Sequence, residues 1–209
     1  MFITLGVDLS LAANQEGIHK IQKIVVAVQQ QIYRLEGSLN KLVMDDKGST
    51  MIVIFGLPPY AHDDDASRAI YAGFNMIKAL SKIEETYCNI GIASGECFCG
   101  IVGGSGSRKE FSVLGDIVNL SARIMGAMKG QKNEITCDQN TRMMAENNFS
   151  FTYAQHHELK GKSISTPFYK PVDPRRHTEE YHHRFMPVEH FLKPHQNPLI
   201  IPRDEKDEH

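Results

Sequence analysis

The sequence lacks the features that would place it in a membrane or on a nucleic acid. No apolar run approaches the ~20 residues that a membrane span needs. The first residues, MFITLGVDLS, lack the basic region and the small-residue cleavage site of a secretory signal. The formal net charge of −2 gives no basic field for a nucleic-acid backbone, and lysine and arginine are scattered along the chain. We therefore expect a cytoplasmic protein with no membrane span and no nucleic-acid partner.

Cysteine is also scarce, with only four residues: Cys88, Cys97, Cys99 and Cys137. They are too few and too irregularly spaced for a disulfide framework. The CFC sequence places two of them on one face of a strand rather than at the spacing of a zinc site. We predict that all four are buried, reduced thiols.

The composition is that of a globular protein with one good core. Of 209 residues, 41% are hydrophobic and 23% are charged. From Asp173 onward the chain has five prolines, many charges and no sustained period. We predict a domain at 1–172 and an extended tail at 173–209, whose scattered histidines are solvated, with a metal cluster as the less favoured alternative. The abrupt first strand is typical of a domain joined to something larger.

The apolar pattern predicts strands that alternate with helices. Strand-type runs occur at 2–9, in a hairpin at 40–59 that turns at 46–48, in a second hairpin around Gly95 within 89–104, near 134–137, and near 151–158 and 166–172. Helical spacing occurs at 15–35, closed by Gly37, after the acidic run 63–65, around 116–125, and after CDQNT at 137–141. The acidic run favours a helix N-terminus over a metal site. Together these elements predict an α+β fold in which helices pack on a mixed sheet.

One helix carries polar residues that its apolar pattern does not explain. In FSVLGDIVNLSARIM (111–125), Asn119 and Arg123 are four residues apart and so lie on the same helical face. Such a pair is most often a solvated face. However, the helix follows a glycine turn and its other residues leave little polar surface, so convergence of amide and guanidinium on an anion is the competing interpretation.

Several motifs in order resemble the catalytic domain of class III nucleotidyl cyclases, which make cyclic AMP or cyclic GMP. They are IGIASGECFCGIVGG, KEFSVLGDIVNLSARIM and LKGK. The motifs NKLVMDDKG, VIFGLP, FCGIVG and VNLSARIM are most similar to the second cyclase domain of bicarbonate-responsive soluble adenylyl cyclases. The resemblance covers residues 2–172 and implies the ferredoxin-like cyclase fold. It also implies a head-to-tail dimer with the active site between two domains.

The resemblance assigns roles to five residues. Asn119 and Arg123 match the family's transition-state pair, which orients the ribose and neutralises charge on the α-phosphate. Lys41 matches the residue that contacts adenine, and Ser112 stands where soluble cyclases carry a small hydroxyl residue. Lys160 matches the lysine that reaches the triphosphate, although a solvated lysine at a strand end is the alternative. Lysine together with a hydroxyl favours ATP over GTP.

The metal site departs from the family pattern. The family uses two aspartates for two Mg²⁺ or Mn²⁺ ions, because hard cations require oxygen ligands. Asp8 stands at the first position, but Ser49 occupies the second and supplies no negative charge. The resemblance therefore implies that the metals are held mostly by the partner domain.

Two functional hypotheses remain open from the sequence. In the first, the chain is the substrate-reading half of an adenylyl cyclase that converts ATP to cyclic AMP and pyrophosphate when paired with a metal-bearing domain. In the second, it is a catalytically inactive cyclase-like module that serves as a nucleotide-binding or scaffold subunit.

Overall fold

The computed structural model describes residues 1–7, 9–45, 48–104, 109–128, 130–157 and 166–172. The strands in these ranges are β1 (Phe2–Leu5), β2 (Ser38–Asp45), β3 (Gly48–Ile54), β4 (Cys88–Ile92), β5 (Phe98–Val102), β6 (Glu110–Leu114), β7 (Ile135–Cys137), β8 (Ser150–His157) and β9 (Thr166–Val172). The helices are α1 (Gln15–Arg34), α2 (Asp65–Leu80), α3 (Asp116–Ala127) and α4 (Gln139–Ala145), with a short 3-10 helix at Leu9–Ala13.

Seven strands form one mixed sheet in the order β2-β3-β1-β4-β7-β9-β8. The β4–β7 pair is parallel, and the other neighbours in this sheet are antiparallel. The remaining two strands, β5 and β6, form a separate antiparallel pair. Helices packed on a mixed sheet confirm the α+β class expected from the sequence.

The main core lies on the sheet face that α1 and α2 cover. Along β4, side chains alternate between the faces, and Cys88, Ile90 and Ile92 belong to this core. The helix α1 adds residues with the predicted three- and four-residue spacing, including the fully buried Val28 and Ile32. Burial of this apolar stripe is what holds the 20-residue helix on the sheet.

The opposite face of the sheet receives α3 at one close contact. Gly91 of β4 points to this face, and a Cβ atom added there would lie 2.3 Å from the Ser121 carbonyl oxygen and 2.5 Å from the Met125 backbone nitrogen. Glycine is therefore required for the helix to reach the strand. Beside this contact, Ile124 and Phe168 form a smaller core and are both fully buried.

The structure corrects three local predictions. The first strand ends at Leu5 rather than at residue 9, because Gly6 turns away and donates its backbone N–H to the Tyr87 carbonyl at 2.8 Å. The end of α1 takes its left-handed residue at Glu36, with φ 59°, rather than at Gly37. The strands on either side of Gly95 do not pair with each other, since β4 lies inside the main sheet and β5 pairs with β6.

The prediction of four buried thiols holds for two cysteines and is wrong for the other two. Cys88 and Cys137 are fully buried, whereas Cys97 is exposed and Cys99 is half-buried. Cys97 lies just before β5, outside the main sheet, so neither α-helical layer covers it.

Some predictions fall outside the described residues. These are the tail at 173–209 and residues 46 and 47 of the hairpin turn. Across the described ranges, no helix is both long and apolar enough to cross a membrane.

The Gly91 contact predicts opposite effects for two glycine substitutions. Gly91→Ala should lower the free energy of unfolding by about 1–3 kcal/mol, because the new Cβ overlaps the α3 backbone. Gly126→Ala, in the same helix, should raise it by up to ~1 kcal/mol, since nothing lies within 4 Å of the added atom. Urea unfolding of both variants measures the difference, and equal effects would contradict the close packing.

Candidate functional site

The outer face of α3 presents Asn119 and Arg123 to solvent. The helix begins after Gly115, whose φ of 152° favours glycine, and it packs on the sheet through the buried residues Ser121 and Ile124. Asn119 and Arg123 are both exposed on the other side. Neither side chain forms a hydrogen bond or ion pair with any other described residue. An amide and a guanidinium are therefore available together for an external ligand.

A second polar surface joins β2 to β6. Lys41 of β2 donates from Nζ to Glu110 Oε1 of β6 at 3.0 Å, and both side chains are about half exposed. Glu110 and Ser112 are two residues apart on β6 and so share one face of the strand. The structure thus places Lys41 and Ser112 on one surface. Glu110 connects them, because it pairs with Lys41 and shares a strand face with Ser112.

The position of β6 links this surface to α3. The Asn40 side-chain amide donates to the Phe111 carbonyl at 3.3 Å, which holds β6 against β2. Only Gly115 separates β6 from the first residue of α3. The strand that carries Ser112 therefore also fixes where the helix with Asn119 and Arg123 begins.

Ser49 has a structural role in this chain. It is fully buried, and its hydroxyl donates to the Val7 carbonyl at 2.5 Å. Asp45 pairs with Gly48 at the end of the hairpin, and Ser49 follows as the second residue of β3. A hydroxyl occupied in this way adds no anionic oxygen for a cation.

Ser49 does not fit the expected second position of a two-aspartate metal site, because a hydroxyl supplies no anionic oxygen. Asp8 and Lys160 lie outside the described ranges, so the structure gives no position for either side chain. Within those ranges, no group of three or more histidine, cysteine, aspartate or glutamate side chains is arranged to hold a metal ion.

A small cavity lies behind the polar surface. Its volume is about 250 Å³, and its walls include Val113, Ile117 and Ser121. Val113 alternates with Ser112 along β6, so the cavity is on the opposite side of the strand from Ser112. Small-molecule pockets span roughly 300–1,000 Å³. The cavity is below that range and does not include Lys41, Ser112, Asn119 or Arg123.

The β5–β6 pair exposes large apolar side chains beside the candidate site. Phe98 is 58% exposed, Ile101 70% and Leu114 54%. Val102 and Phe111 of the same pair are also exposed. The ladder register puts Phe98, Val102 and Leu114 on one face of the pair and Ile101 and Phe111 on the other. Exposed apolar side chains of this size are a common feature of protein–protein interaction surfaces.

Sequence reasoning missed Glu110 as a member of the site. Its partner Lys41 is 69 residues away in the chain, so no local spacing connects the two. The available signal was the same-face relation between Glu110 and Ser112, two residues apart on a predicted strand.

The exposure of α3 predicts that its polar pair contributes little to stability. Arg123→Ala and Asn119→Ala should each change the free energy of unfolding by no more than about 0.5 kcal/mol, as expected for exposed side chains without partners. Ile124→Ala, next to Arg123 in the sequence, should cost about 2–5 kcal/mol because Ile124 is fully buried. Denaturant unfolding provides the measurement, and a large loss in Arg123→Ala would mean that the arginine has a structural partner.

Comparison with known proteins identifies related domains. The family model described as adenylate and guanylate cyclase catalytic domain matches residues 9–171. Adenylate cyclase type 10 is 34% identical over 122 residues in both Oryctolagus cuniculus and Homo sapiens. That match covers 58% of this chain but spans only 7% of the length of those relatives.

Solved structures share the fold. The adenylyl cyclase CyaB from P. aeruginosa matches with a TM-score of 0.71 at 21% identity, covering 84% of this chain and 93% of that chain. The guanylate cyclase domain of RhGC from Catenaria anguillulae, in complex with GTP, matches with a TM-score of 0.69 at 17% identity, covering 82% and 93%. At these identities the structures establish the fold alone. Together with the family match over most of its length, they show that this chain belongs to the adenylate and guanylate cyclase catalytic domain family.

Proposed function

We propose that this chain is the substrate-reading half of an adenylyl cyclase, which converts ATP to cyclic AMP and pyrophosphate when paired with a metal-bearing cyclase domain. The observation that carries the proposal is the exposed, unpartnered pair Asn119 and Arg123 on α3. A guanidinium and an amide held by a packed helix, yet unused by the fold, suit a ligand that arrives from outside.

The chemistry gives this pair a defined task. The 3′-hydroxyl of ATP attacks the α-phosphate, the new P–O bond closes the ring, and pyrophosphate leaves. Catalysis of phosphoryl transfer is mostly positioning and electrostatic stabilisation. In the proposal, Arg123 neutralises charge that develops on the α-phosphate, and Asn119 orients the ribose. The rigid packing of α3 on Gly91 holds both groups at a fixed height above the sheet.

Base reading is assigned to the surface between β2 and β6. An ammonium donates hydrogen bonds, so Lys41 suits the ring-nitrogen acceptors of adenine, and the Ser112 hydroxyl can donate or accept. Glu110 holds the Lys41 ammonium on the face that Ser112 shares. As in the soluble adenylyl cyclases that the chain resembles, a lysine with a hydroxyl at these positions is proposed to favour ATP over GTP, and Lys160 is proposed to reach the triphosphate.

The proposal requires a second cyclase domain in a head-to-tail dimer. The exposed apolar side chains of β5 and β6 provide a surface for that partner. The 250 Å³ cavity within the single chain does not contain the candidate residues, so the nucleotide is proposed to bind between domains. We take residues 1–172 as the unit that forms the dimer and place the tail at 173–209 outside it. The proposed location is cytoplasmic, in keeping with the small number of cysteines.

The metal ions are assigned to the partner domain. Bound Mg²⁺ or Mn²⁺ would supply charge stabilisation to the phosphates. In this chain Ser49, at the expected second metal position, is buried and donates its hydroxyl to the Val7 carbonyl, so it offers no anionic ligand. The chain alone, or as a homodimer, is therefore expected to be nearly inactive.

A complementation assay tests the proposal. The purified chain is mixed with a metal-competent cyclase domain, and production of cyclic AMP from ATP and of cyclic GMP from GTP is measured with Mg²⁺ or Mn²⁺. We expect cyclic AMP synthesis in the mixture and little in either component. Arg123→Ala should reduce it by at least ~100-fold, as is typical when a transition-state donor is removed.

The matched control is Arg34→Ala, which removes an exposed arginine at the end of α1. It should leave the rate of cyclic AMP synthesis unchanged. The partner must be shown to pair with this chain and to be active with a known second half. If the mixture then makes no cyclic AMP, the result contradicts the proposed enzyme and favours the inactive nucleotide-binding or scaffold module.

Replacement of Ser49 should lower stability but not activity, the opposite of what we expect for replacement of Arg123. Ser49→Ala should lower the free energy of unfolding by about 1–3 kcal/mol, because it leaves the Val7 carbonyl without its buried donor. Assayed well below its unfolding temperature, the same variant should retain cyclic AMP synthesis in the mixture. Loss of activity without loss of stability would place Ser49 in the productive site and contradict the assignment of the metals to the partner.

A further inference from the structure

Two thiols lie together at the start of β5. The sulfur atoms of Cys97 and Cys99 are 3.5 Å apart, in hydrogen-bonding contact. Cys97 is exposed and Cys99 is half-buried, whereas Cys88 and Cys137 are fully buried. Burial raises the pKa of Cys88 to about 12 and raises that of Cys137 further, so both stay protonated and shielded from reagents.

We propose that Cys97 and Cys99 are a redox modification site that closes to a reversible intramolecular disulfide. The oxidant is hydrogen peroxide. The Cys97 sulfur attacks the peroxide, whose O–O bond breaks, giving a sulfenic acid and one molecule of water. The Cys99 thiol then displaces the sulfenic oxygen as a second water. In total the two thiols lose two electrons and two protons, and hydrogen peroxide becomes two waters.

The side-chain geometry favours this bond, because the two sulfur atoms already converge to 3.5 Å. An S–S bond is ~2.05 Å long and joins Cβ atoms ~3.5–4.5 Å apart, so closure requires the chain between residues 97 and 99 to tighten. Cys97 lies before the first ladder pair of the hairpin, Phe98 with Leu114, whereas Cys99 pairs with Val113, so we expect Cys97 to make most of this movement.

The local environment assigns different parts to the two thiols. Burial is the main cause that raises the pKa of Cys99 to about 11, and the hydrogen bond with Cys97 adds to it. Cys99 therefore remains a protonated thiol at neutral pH. The more exposed Cys97 is the residue that meets the oxidant first, and Cys99 is the resolving thiol.

The site is mechanically connected to α3. Gly115, the residue immediately before α3, lies beside this segment, since a Cβ atom added there would be in ordinary van der Waals contact with the Cys97 Cα atom at 3.4 Å. Tightening of the segment between residues 97 and 99 therefore bears directly on the start of the helix. Asn119 lies four residues beyond Gly115, so oxidation displaces the transition-state pair and lowers catalysis. This consequence rests on the function proposed above.

The modification itself is tested on the folded full chain without partner or nucleotide. Reduced protein is treated with hydrogen peroxide, and accessible thiols, intact mass and disulfide-linked peptides are measured. We expect the wild type to lose two thiols and about 2 Da, with a link between residues 97 and 99 that a dithiol reductant reverses. The control variant Cys137→Ala, which removes a buried thiol instead, should form the same disulfide between residues 97 and 99.

Cys97→Ser and Cys99→Ser should not form the link, and Cys99→Ser should instead yield a sulfenic acid that a dimedone probe traps at Cys97. Retention of all thiols by the wild type, at peroxide doses that modify Cys97 in Cys99→Ser, would overturn the proposal. So would a product joined between two chains or oxidised beyond the sulfenic stage without the 97–99 link.

The functional consequence is tested separately in the complementation assay. Oxidised wild type should support cyclic AMP synthesis at a rate at least ~10-fold below that of the reduced protein, since small displacements of positioning groups have effects of this size. Reduction should restore the rate, and Cys99→Ser treated and re-reduced in parallel should match its untreated control. An unchanged rate with a complete disulfide would overturn the coupling to α3. A mixture silent even when reduced would instead count against the proposed function, while the mass measurement would still decide the modification.

Discussion

The approach of α3 to β4 at Gly91 is the contact on which the candidate site depends. No side chain separates the strand from the helix backbone at this point, so the sheet itself fixes the height and tilt of α3. Gly91 allows the helix to approach the sheet, and Gly115 sets where the helix begins, directly after β6. Together they determine where Asn119 and Arg123 lie. Both side chains are exposed and neither has a partner among the described residues, so both are available to a ligand.

Local patterns in the sequence predicted most of the fold, and long-range pairings explain what they missed. The apolar spacing of α1, the hairpin of β2 and β3, and the shared face of Asn119 and Arg123 follow from periods of 3.6 and 2 residues. Periodicity does not specify which strands pair, so the departure of β5 from the main sheet, and with it the exposure of Cys97, was not predicted. The ion pair of Lys41 with Glu110 was not predicted for the same reason, since it joins strands far apart in the chain.

The proposal that a single copy performs only half of a reaction rests on two features of the described residues. The groups proposed to read the base and to stabilise the transition state lie on exposed surfaces, next to a strand pair with exposed apolar side chains. Ser49, at the expected second metal position, is buried and donates a hydrogen bond within the fold. Under the proposal, a partner contributes anionic oxygens and covers apolar side chains of β5 and β6, whose burial would supply association free energy. Fold membership alone does not establish this division of labour.

An arginine exchange between the two domains tests the division most directly. A metal-competent partner is prepared with its own transition-state arginine replaced, so that only a groove using Arg123 of this chain can be complete. The account predicts that cyclic AMP synthesis persists in the mixture with the wild-type chain and is lost with Arg123→Ala. The account would be contradicted if replacing the partner's arginine abolished cyclic AMP synthesis and Arg123→Ala had no effect. This chain would then not supply the transition-state residues.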